Sequence, residues 1–599
     1  MPPLTATPLE VRRRGTFDSA YQTSLSPKGR KVLREIFSDM EEEDENLRNS
    51  PVRPAAIDAN SPDGTTSEEL VALYLARCHA LEISPSNHFI HLLTQGSPTN
   101  LVLSEQQLDD GALAAIFSLL PHMTVLKRLS LDGLQLGDYA IESLAIAVSS
   151  PLSHLEIITL RSANLTDARA LHLLQALTQA PQLRQLDISC NPITERCGEG
   201  LGQLLRLAPF LRTLMCDFCP LSTVGAIALA SGLPYASSLT SLYMGHCSLG
   251  DEGIMALTNA LKASQSEVPI PLVQLHLWSN HLTDSGGEHI AQILPVLSRT
   301  LRSLNLSGNA LGPSSAGAIV AAIGSHAPSL VSLSLSRNPL GDEGAIAVAT
   351  GLLEVIQPAS MQSAAPIEGL SSHLPITSTH ALTLAASLRE LHLSHCHFTA
   401  HSGSVLARAM RSHPSLASLD LSHNFLDNDG WVGLLTCLHA SSTQLTHLSA
   451  AHTGMGMPAL LALASALKSS SCRLKSLQLS SNALGDDGAR LLASALTSND
   501  PERGITHLWI DHNEMSDAGM VALVTAELRT LSHLSAASNN LGRVSAVSLG
   551  DFISSGTTSM KSLCLDGNQI PNASLRELAV ICRNHAVRIS GDSIDGWIN

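Results

Sequence analysis

The chain has 599 residues, 44% of them apolar, with 36 basic against 52 acidic side chains and a net charge of −16. This supplies a large core, while the negative field argues against nucleic acid as a ligand and favours a basic or amphipathic protein partner. The longest apolar runs, such as PALLALASAL from Pro458, reach about half of the roughly 20 residues a membrane-spanning helix needs.

Residues 1–65 are rich in Pro, Ser and charge, with RRRGTF at Arg12, PKGRK at Pro27 and EEEDE at Glu41. They predict a mostly disordered N-terminal tail interrupted by one short helix over about 29–40. The tail lacks the apolar stretch of a secretion signal. An odd number of cysteines, 11, without paired cysteine-rich caps, points to reduced thiols and a cytoplasmic chain, with the nucleus as an alternative. Arg13-Arg14-Gly15-Thr16 resembles a basophilic kinase substrate, which makes Thr16 a candidate phosphosite.

Residues 66–97 predict an N-terminal helical cap. TSEELVALYLARCHAL opens with a capping box, Thr66 and Glu69, and carries Leu70, Leu73, Tyr74 and Leu81 at helical spacing.

From Pro98 the string LxxLxLxxNxL, cleanest as LRSLNLSGNAL at Leu301, recurs about every 28 or 29 residues. Each unit of such an array buries its apolar face only against its neighbours. With Leu301 as position 1, sixteen units begin at Pro98, Leu126, Leu155, Leu183, Leu211, Leu239, Leu272, Leu301, Leu330, Leu388, Leu416, Leu445, Leu474, Ile505, Leu531 and Met560, filling residues 98–585. Apolar residues at positions 4 and 6 around polar 3, 5 and 7 mark a short strand with one buried face. Beyond position 11 the period becomes helical, as in GDEGAIAVATGLL from Gly341, where Asp342 and Glu343 suit a helix N-terminus. Residues 358–387 break the period and read as an insertion loop or a decayed repeat, with the loop favoured; residues 586–599 read as a C-terminal cap.

Position 9 holds Asn191, Asn280, Asn309, Asn338, Asn424, Asn482, Asn513, Asn539 and Asn568, with Cys219, Cys247 and Cys396 elsewhere. An Asn there offers two donors and an acceptor to loop backbone groups, and a Cys a weaker version of the same contact. This Asn/Cys choice, with a helix in every unit, resembles the ribonuclease-inhibitor class of leucine-rich repeats. The helix at Thr66 also resembles the start of repeat arrays in centrosomal and ciliary leucine-rich-repeat proteins. The fold expected is therefore α/β: a right-handed leucine-rich-repeat solenoid. Helices about 10 Å wide stacked on strands about 4.8 Å apart predict a horseshoe with a concave parallel β-sheet and convex helices.

Partner-binding side chains are expected at positions 3, 5, 7 and 8, which leave the strand without entering the core. One group surrounds Trp278: Met215, Asp217, Phe218, Tyr243, His246 and His276. A second is rich in histidine: His392, His395, Asp420, His423, His447, His452, His507, Trp509, Asp511, His512 and His533. His395, His423 and His452 form a column whose members stand about 5 Å apart, a spacing for pH-dependent charge or for nothing more than solvated imidazoles. No metal or cofactor is expected. None of the seven lysines follows a glycine, so no GxxxxGK[ST] phosphate loop exists, and HExxH is absent. Cys216 and Cys219 have metal-ligand spacing but occupy core positions 6 and 9.

These features predict a non-enzymatic protein-interaction scaffold, and the resemblance of the cap helix places it in a cytoskeletal, centrosomal or ciliary assembly. The alternative is a regulator of an enzyme, either an active-site-occluding inhibitor or a Ran-type GTPase activator, for which Arg161 and Asn164 are the candidate pair.

Overall fold

A computed structural model describes residues 66–591 apart from 97, 104–107, 264–269, 327–328, 355–386, 414, 498–503, 527 and 557. The tail with Thr16, most of the 358–387 segment and residues 592–599 lie outside the described residues. The chain divides into two compact units, Met1–Asn191 and Pro192–Asn599.

In the first unit, helix α1 (Ser67–Ala80) begins with the expected capping box: Thr66 N–H donates to Glu69 Oε2 at 2.8 Å and Glu69 N–H to Thr66 Oγ1 at 3.3 Å. Leu70, Tyr74 and Cys78 form its buried stripe, while Leu81 falls on the C-cap and is exposed. Tyr74 meets Phe89 of helix α2 (Asn87–Thr94) edge-on at 4.9 Å. Strands β1 (Asn100–Val102), β2 (Arg128–Ser130), β3 (Ile157–Thr159) and β4 (Gln185–Asp187) run parallel in sequence order, with Leu101, Leu129, Ile158 and Leu186 in one row.

Among the described residues the second unit holds thirteen parallel strands, β5 (Thr213–Met215) to β17 (Arg588–Ser590), each paired with its sequence neighbour. Every strand from β5 to β16 covers positions 3–5 of its repeat and is followed by a helix. Leu304 and Leu306, at positions 4 and 6, are 1% and 0% exposed. Two details depart from the simple periodic count. Strand β17 lies within the segment assigned to the C-terminal cap and pairs with β16 (Ser562–Cys564) through Arg588 and Ser562. Across the 58-residue interval, β9 (Ser332–Ser334) pairs directly with β10 (Glu390–His392), so no strand stands between them.

Three sets of side-chain bonds join successive repeats. At position 9, Asn309 Oδ1 accepts the N–H groups of Asn280 and Leu282 at 2.7 and 3.1 Å, and its amide donates to Leu277 and Leu306 carbonyls at 3.1 and 2.9 Å. Asn424, Asn482, Asn513 and Asn539 repeat the pattern. Cys247 and Cys396 keep only the donor half, each S–H reaching the position 6 carbonyl of the preceding repeat at 3.0 and 3.4 Å.

The second set adds to the expected use of the helix-start acids. Asp342 and Glu343 stand in the first turn of the helix Gly341–Glu354, as expected, and Asp342 also reaches the following helix, accepting from Thr399 N–H at 2.8 Å. Asp251, Asp486 and Asp517 likewise accept the first N–H groups of the next helix. Partial burial opposes the charge on Asp486, but the bonds from Ser516 and Gly519 outweigh it and hold the carboxyl below its ordinary pKa. In the third set, position 7 of one repeat accepts the position 7 N–H of the next, as Ser422 Oγ does from Ala451 at 3.2 Å and Asp511 Oδ1 from Ala537 at 2.7 Å.

Candidate functional site

The strand face opposite the helices is built from positions 3, 5, 7 and 8. Position 8 follows the strand with a left-handed backbone: φ is +55° at Phe218, +54° at His246, +53° at His395, +57° at His423, +52° at His452 and +51° at His512. This region is sterically costly for most L-residues and several-fold enriched in Asn, Asp and His among non-glycines. The same left-handed backbone occurs at position 8 with Ser279, Arg337, Ser481 and Ser538, so it suits histidine without selecting it.

Around β5, β6 (Ser241–Tyr243) and β7 (Gln274–His276) the first group gathers as one aromatic cluster. Phe218 lies 4.9 Å from both His246 and Trp278, His246 stacks 6.2 Å from Trp278, and Tyr243 meets His276 edge-on at 4.5 Å. Met215 is half-buried at position 5 of β5, paired with Tyr243. Trp278, expected to stand exposed, is only 4% exposed because its indole lies over the backbone of Gly245, where an added Cβ would sit 2.0 Å from the ring. Asp217 is 3% exposed and accepts Gly245 N–H at 2.5 Å, so it too is turned inward. Burial lowers the pKa of His276 to about 4, and burial, followed by the charge of His281, lowers that of His246.

Gln274 is a member of this cluster that pattern reading missed. Its Oε1 accepts from Tyr243 Oη at 2.7 Å and from Ser241 Oγ at 3.0 Å, fixing the tyrosine across two strands. Its place at position 3 beside a position 3 Ser and a position 5 Tyr was the available signal.

The second group splits. His395 and His423 stack at 4.0 Å with planes 8° apart, and His423 to His452 is 5.2 Å. His395 is pushed down to about 3, first by burial and then by the charges of His423, Arg337, His452 and His397. His392 is half-buried and paired in register with Asp420, whose Oδ1 accepts Ser422 N–H at 2.9 Å. A separate stack joins His507 to His533 at 4.1 Å, with Trp509 5.8 Å from His507. Burial lowers both imidazoles, with smaller contributions from His533, His447 and Lys561 at His507 and from Lys561 at His533. His447 is exposed and bonded to Thr446, and Ser476 of β13 (Ser476–Gln478) stands between it and His507 in the register. Asp511 accepts from Ser480 Oγ at 3.1 Å and Ser535 Oγ at 2.5 Å, a tie between three repeats, while His512 beside it is exposed. Trp509 is half-buried, leaving it the accessible tryptophan of this face.

In the first unit, Arg161 Nε lies 3.8 Å from Asp187 Oδ2. Asp187 is 3% exposed, and burial raises its carboxyl pKa against the pull of Arg161. The guanidinium nominated for GTPase activation is thus engaged within its own sheet. Among the described residues no group of three or more His, Cys, Asp or Glu is arranged to hold a metal ion, and no helix is long and apolar enough to cross a membrane.

The family comparison agrees with the repeat architecture. A family model described as Leucine Rich repeat matches residues 235–257, 297–320, 326–349, 385–407 and 470–493. No curated protein matches the sequence. Similar solved structures include an internalin of Listeria monocytogenes (17% identity, TM-score 0.36, 77% of this chain and 94% of that one). A leucine-rich-repeat protein of Leptospira interrogans matches with 16% identity and TM-score 0.36, over 80% of this chain and 98% of that one. A chain of the yeast Rad7 and Elc1 complex matches with 14% identity and TM-score 0.32, over 72% and 90%. With strands at positions 3–5, leucines inward at 4 and 6, an Asn ladder at 9 and five matched repeats, the chain is a leucine-rich-repeat protein.

Proposed function

We propose that the protein is a non-enzymatic scaffold that holds a protein partner against the open strand face of its second unit, in a cytoskeletal, centrosomal or ciliary assembly of the cytoplasm. Leucine-rich-repeat arrays commonly serve as extended protein-binding surfaces, since their repeats present one side chain after another at fixed spacing. The observation that carries the reading is the contrast between positions. Positions 4, 6, 9 and 11 are consumed by the core, whereas His423, His447, His452 and His512 are exposed and Trp509 is half-buried on the open face. An accessible aromatic beside stacked imidazoles is the composition of an interface anchor. The partner fits best as a basic or amphipathic protein surface, since the chain is acidic.

The test is affinity purification of wild type, Trp509→Ala and His423→Ala, each with its thermal transition measured. At least one open-face variant is expected to lose a partner while melting within about 2 °C of wild type. Retention of every partner by both variants would move the docking site elsewhere. The regulator reading has one specific test: acceleration of GTP hydrolysis by a small GTPase, lost on Arg161→Ala, would replace the scaffold assignment.

A further inference from the structure

Where the helices of the second unit lead back into strands, the repeats beginning at Leu445 and Leu474 border an open cavity of about 570 Å³. That volume lies within the range of small-ligand sites. Its wall is polar, with Ser441 from one helix-to-strand connection, Ser470 and Ser471 from the next, and the cations Arg473 and Lys475. Among the described residues that line it, none is acidic. Cys472 is buried in the wall, and burial raises its thiol pKa, so the sulfur stays neutral. The Thr446 hydroxyl is already engaged, donating to Ala417 O at 3.1 Å and paired with His447 Nδ1 at 2.8 Å.

Elsewhere this margin spends its hydroxyls on the stack. Ser329, Ser387 and Ser415, each immediately before position 1, donate to the position 1 carbonyl of the preceding repeat at 2.9, 2.8 and 2.9 Å. The repeat at Leu474 carries Arg473 in that place. Its guanidinium donates through Nη1 to Gln444 Oε1, at the same place in the preceding repeat, and this neutral amide orients the charge without cancelling it. Arg473 is exposed. Lys475 is half-buried and has interactions of its own, among them Nζ to Gly504 O at 3.5 Å, so it flanks the cavity as an anchored ammonium and the site rests on Arg473. Among the described residues no group bonds the hydroxyls of Ser441, Ser470 or Ser471. The stack therefore leaves an oriented guanidinium beside three hydroxyls that it does not use.

We propose that this cavity binds a phosphomonoester dianion carried on a larger molecule. The guanidinium N–H groups not turned to Gln444 can meet two phosphate oxygens in parallel, and serine hydroxyls can donate to the rest. The volume exceeds that of a lone phosphate and leaves room for the group that bears it. Among the described lining residues no aromatic ring is present to stack a nucleobase, which disfavours a nucleotide or a nucleic acid. The proposal is independent of the open-face partner.

The probes are an acetylated Gly-phosphoserine-Gly amide and glycerol 3-phosphate, titrated into the full chain by calorimetry at about pH 7.5, above the second phosphate pKa. The unphosphorylated tripeptide is run in parallel. Arg473→Gln, Arg473→Lys and the pair Ser470→Ala/Ser471→Ala are compared with Arg408→Gln, an exposed control on the helix Ala400–Ser412, after their thermal transitions are matched to wild type. Support is saturable binding of a phosphorylated probe, weakened about tenfold by Arg473→Gln, less by Arg473→Lys, roughly threefold by the serine pair and less than about twofold by the control. The serine pair decides alone if Arg473→Gln does not fold. Tighter binding of the phosphorylated tripeptide assigns the group to a partner polypeptide, and tighter binding of glycerol 3-phosphate to a small metabolite. No saturable binding of either probe, equal affinity for the unphosphorylated tripeptide, or equal weakening by Arg473→Gln and Arg408→Gln would overturn the proposal.

Discussion

At the scale of single residues, the open face mixes docking candidates with side chains whose work is internal. Trp278 belongs to the second kind. Packed on Gly245 and between Phe218 and His246, it should lose about 3–5 kcal/mol of stability on truncation to Ala. Trp509→Ala, at a half-buried site, should cost less than half of that; chemical denaturation of the two variants makes the comparison. The sequence placed both tryptophans on the correct positions but could not rank them. The Gly at position 7 of the preceding repeat, which lets the Trp278 indole lie flat, is a lateral relation that a single repeat does not display. The histidine column was legible as a column, and its stacking distance followed from strand spacing. Its left-handed backbone was not legible, because a pattern of SHN does not distinguish a side chain chosen for φ from one chosen for a ligand.

Acid sensitivity also belongs to this scale. His276 and His413 are 8% and 1% exposed, and burial holds both near pKa 4. In the unfolded chain each returns to about 6.5. Above that value both states are neutral and stability is full; below it the unfolded chain takes the proton first, so stability falls until the folded pKa near 4 is reached. Each site contributes on the order of 3 kcal/mol to this loss. The urea midpoint should therefore drop between pH 7 and pH 4.5, and His276→Gln, which keeps a polar partner for Ser303 without titrating, should flatten the slope. A slope unchanged in that variant would remove His276 from the account.

At the scale of elements, each repeat is fastened to the next through side chains. Asn513 is fully buried and joins four backbone groups, from Asn482, Leu484, Leu479 and Asp511. Asn513→Ala should cost on the order of 3 kcal/mol, because buried donors and acceptors are left without partners. Asn513→Cys should fall between, since the thiol retains the donor contact that Cys247 and Cys396 make but not the acceptor; calorimetry of the three proteins orders them. The position 9 ladder was visible in the sequence because it recurs at one register. The acids were legible at their own helix starts, but their bonds to the next helix were not, because a propensity for the first turn does not report a lateral partner. Strand β17 escaped because only RIS of the strand motif remains to mark it.

The junction between β9 and β10 makes a further case. Their direct pairing, and the cap that Asp342 gives to Thr399, mean that the repeat stack does not require residues 355–386. Replacing them with about six residues should preserve the fold and, by loop-closure entropy, raise stability by about 1.5 kcal/mol. Equilibrium unfolding of the shortened chain tests this, and a large loss would show that the segment contributes packing.

At the scale of the whole molecule, repetition made the chain's class readable from its first pass, while its partners are encoded in scattered positions that no contiguous motif reports. Net charge alone gave one expectation, a basic or amphipathic partner. Each unit is stabilised mainly by nearest-neighbour contacts, so substitutions on the open face should alter binding without spreading through the stack.

The most direct test of the docking face is diethyl pyrocarbonate labelling of the isolated protein and of the protein purified with its partners attached. His423, His452 and His512 of the strand face are expected to react in the isolated protein and to be protected in the complex, with His172 and His401 on helices reacting equally in both. Protection of the helical histidines with undiminished labelling of the strand-face ones would contradict the account.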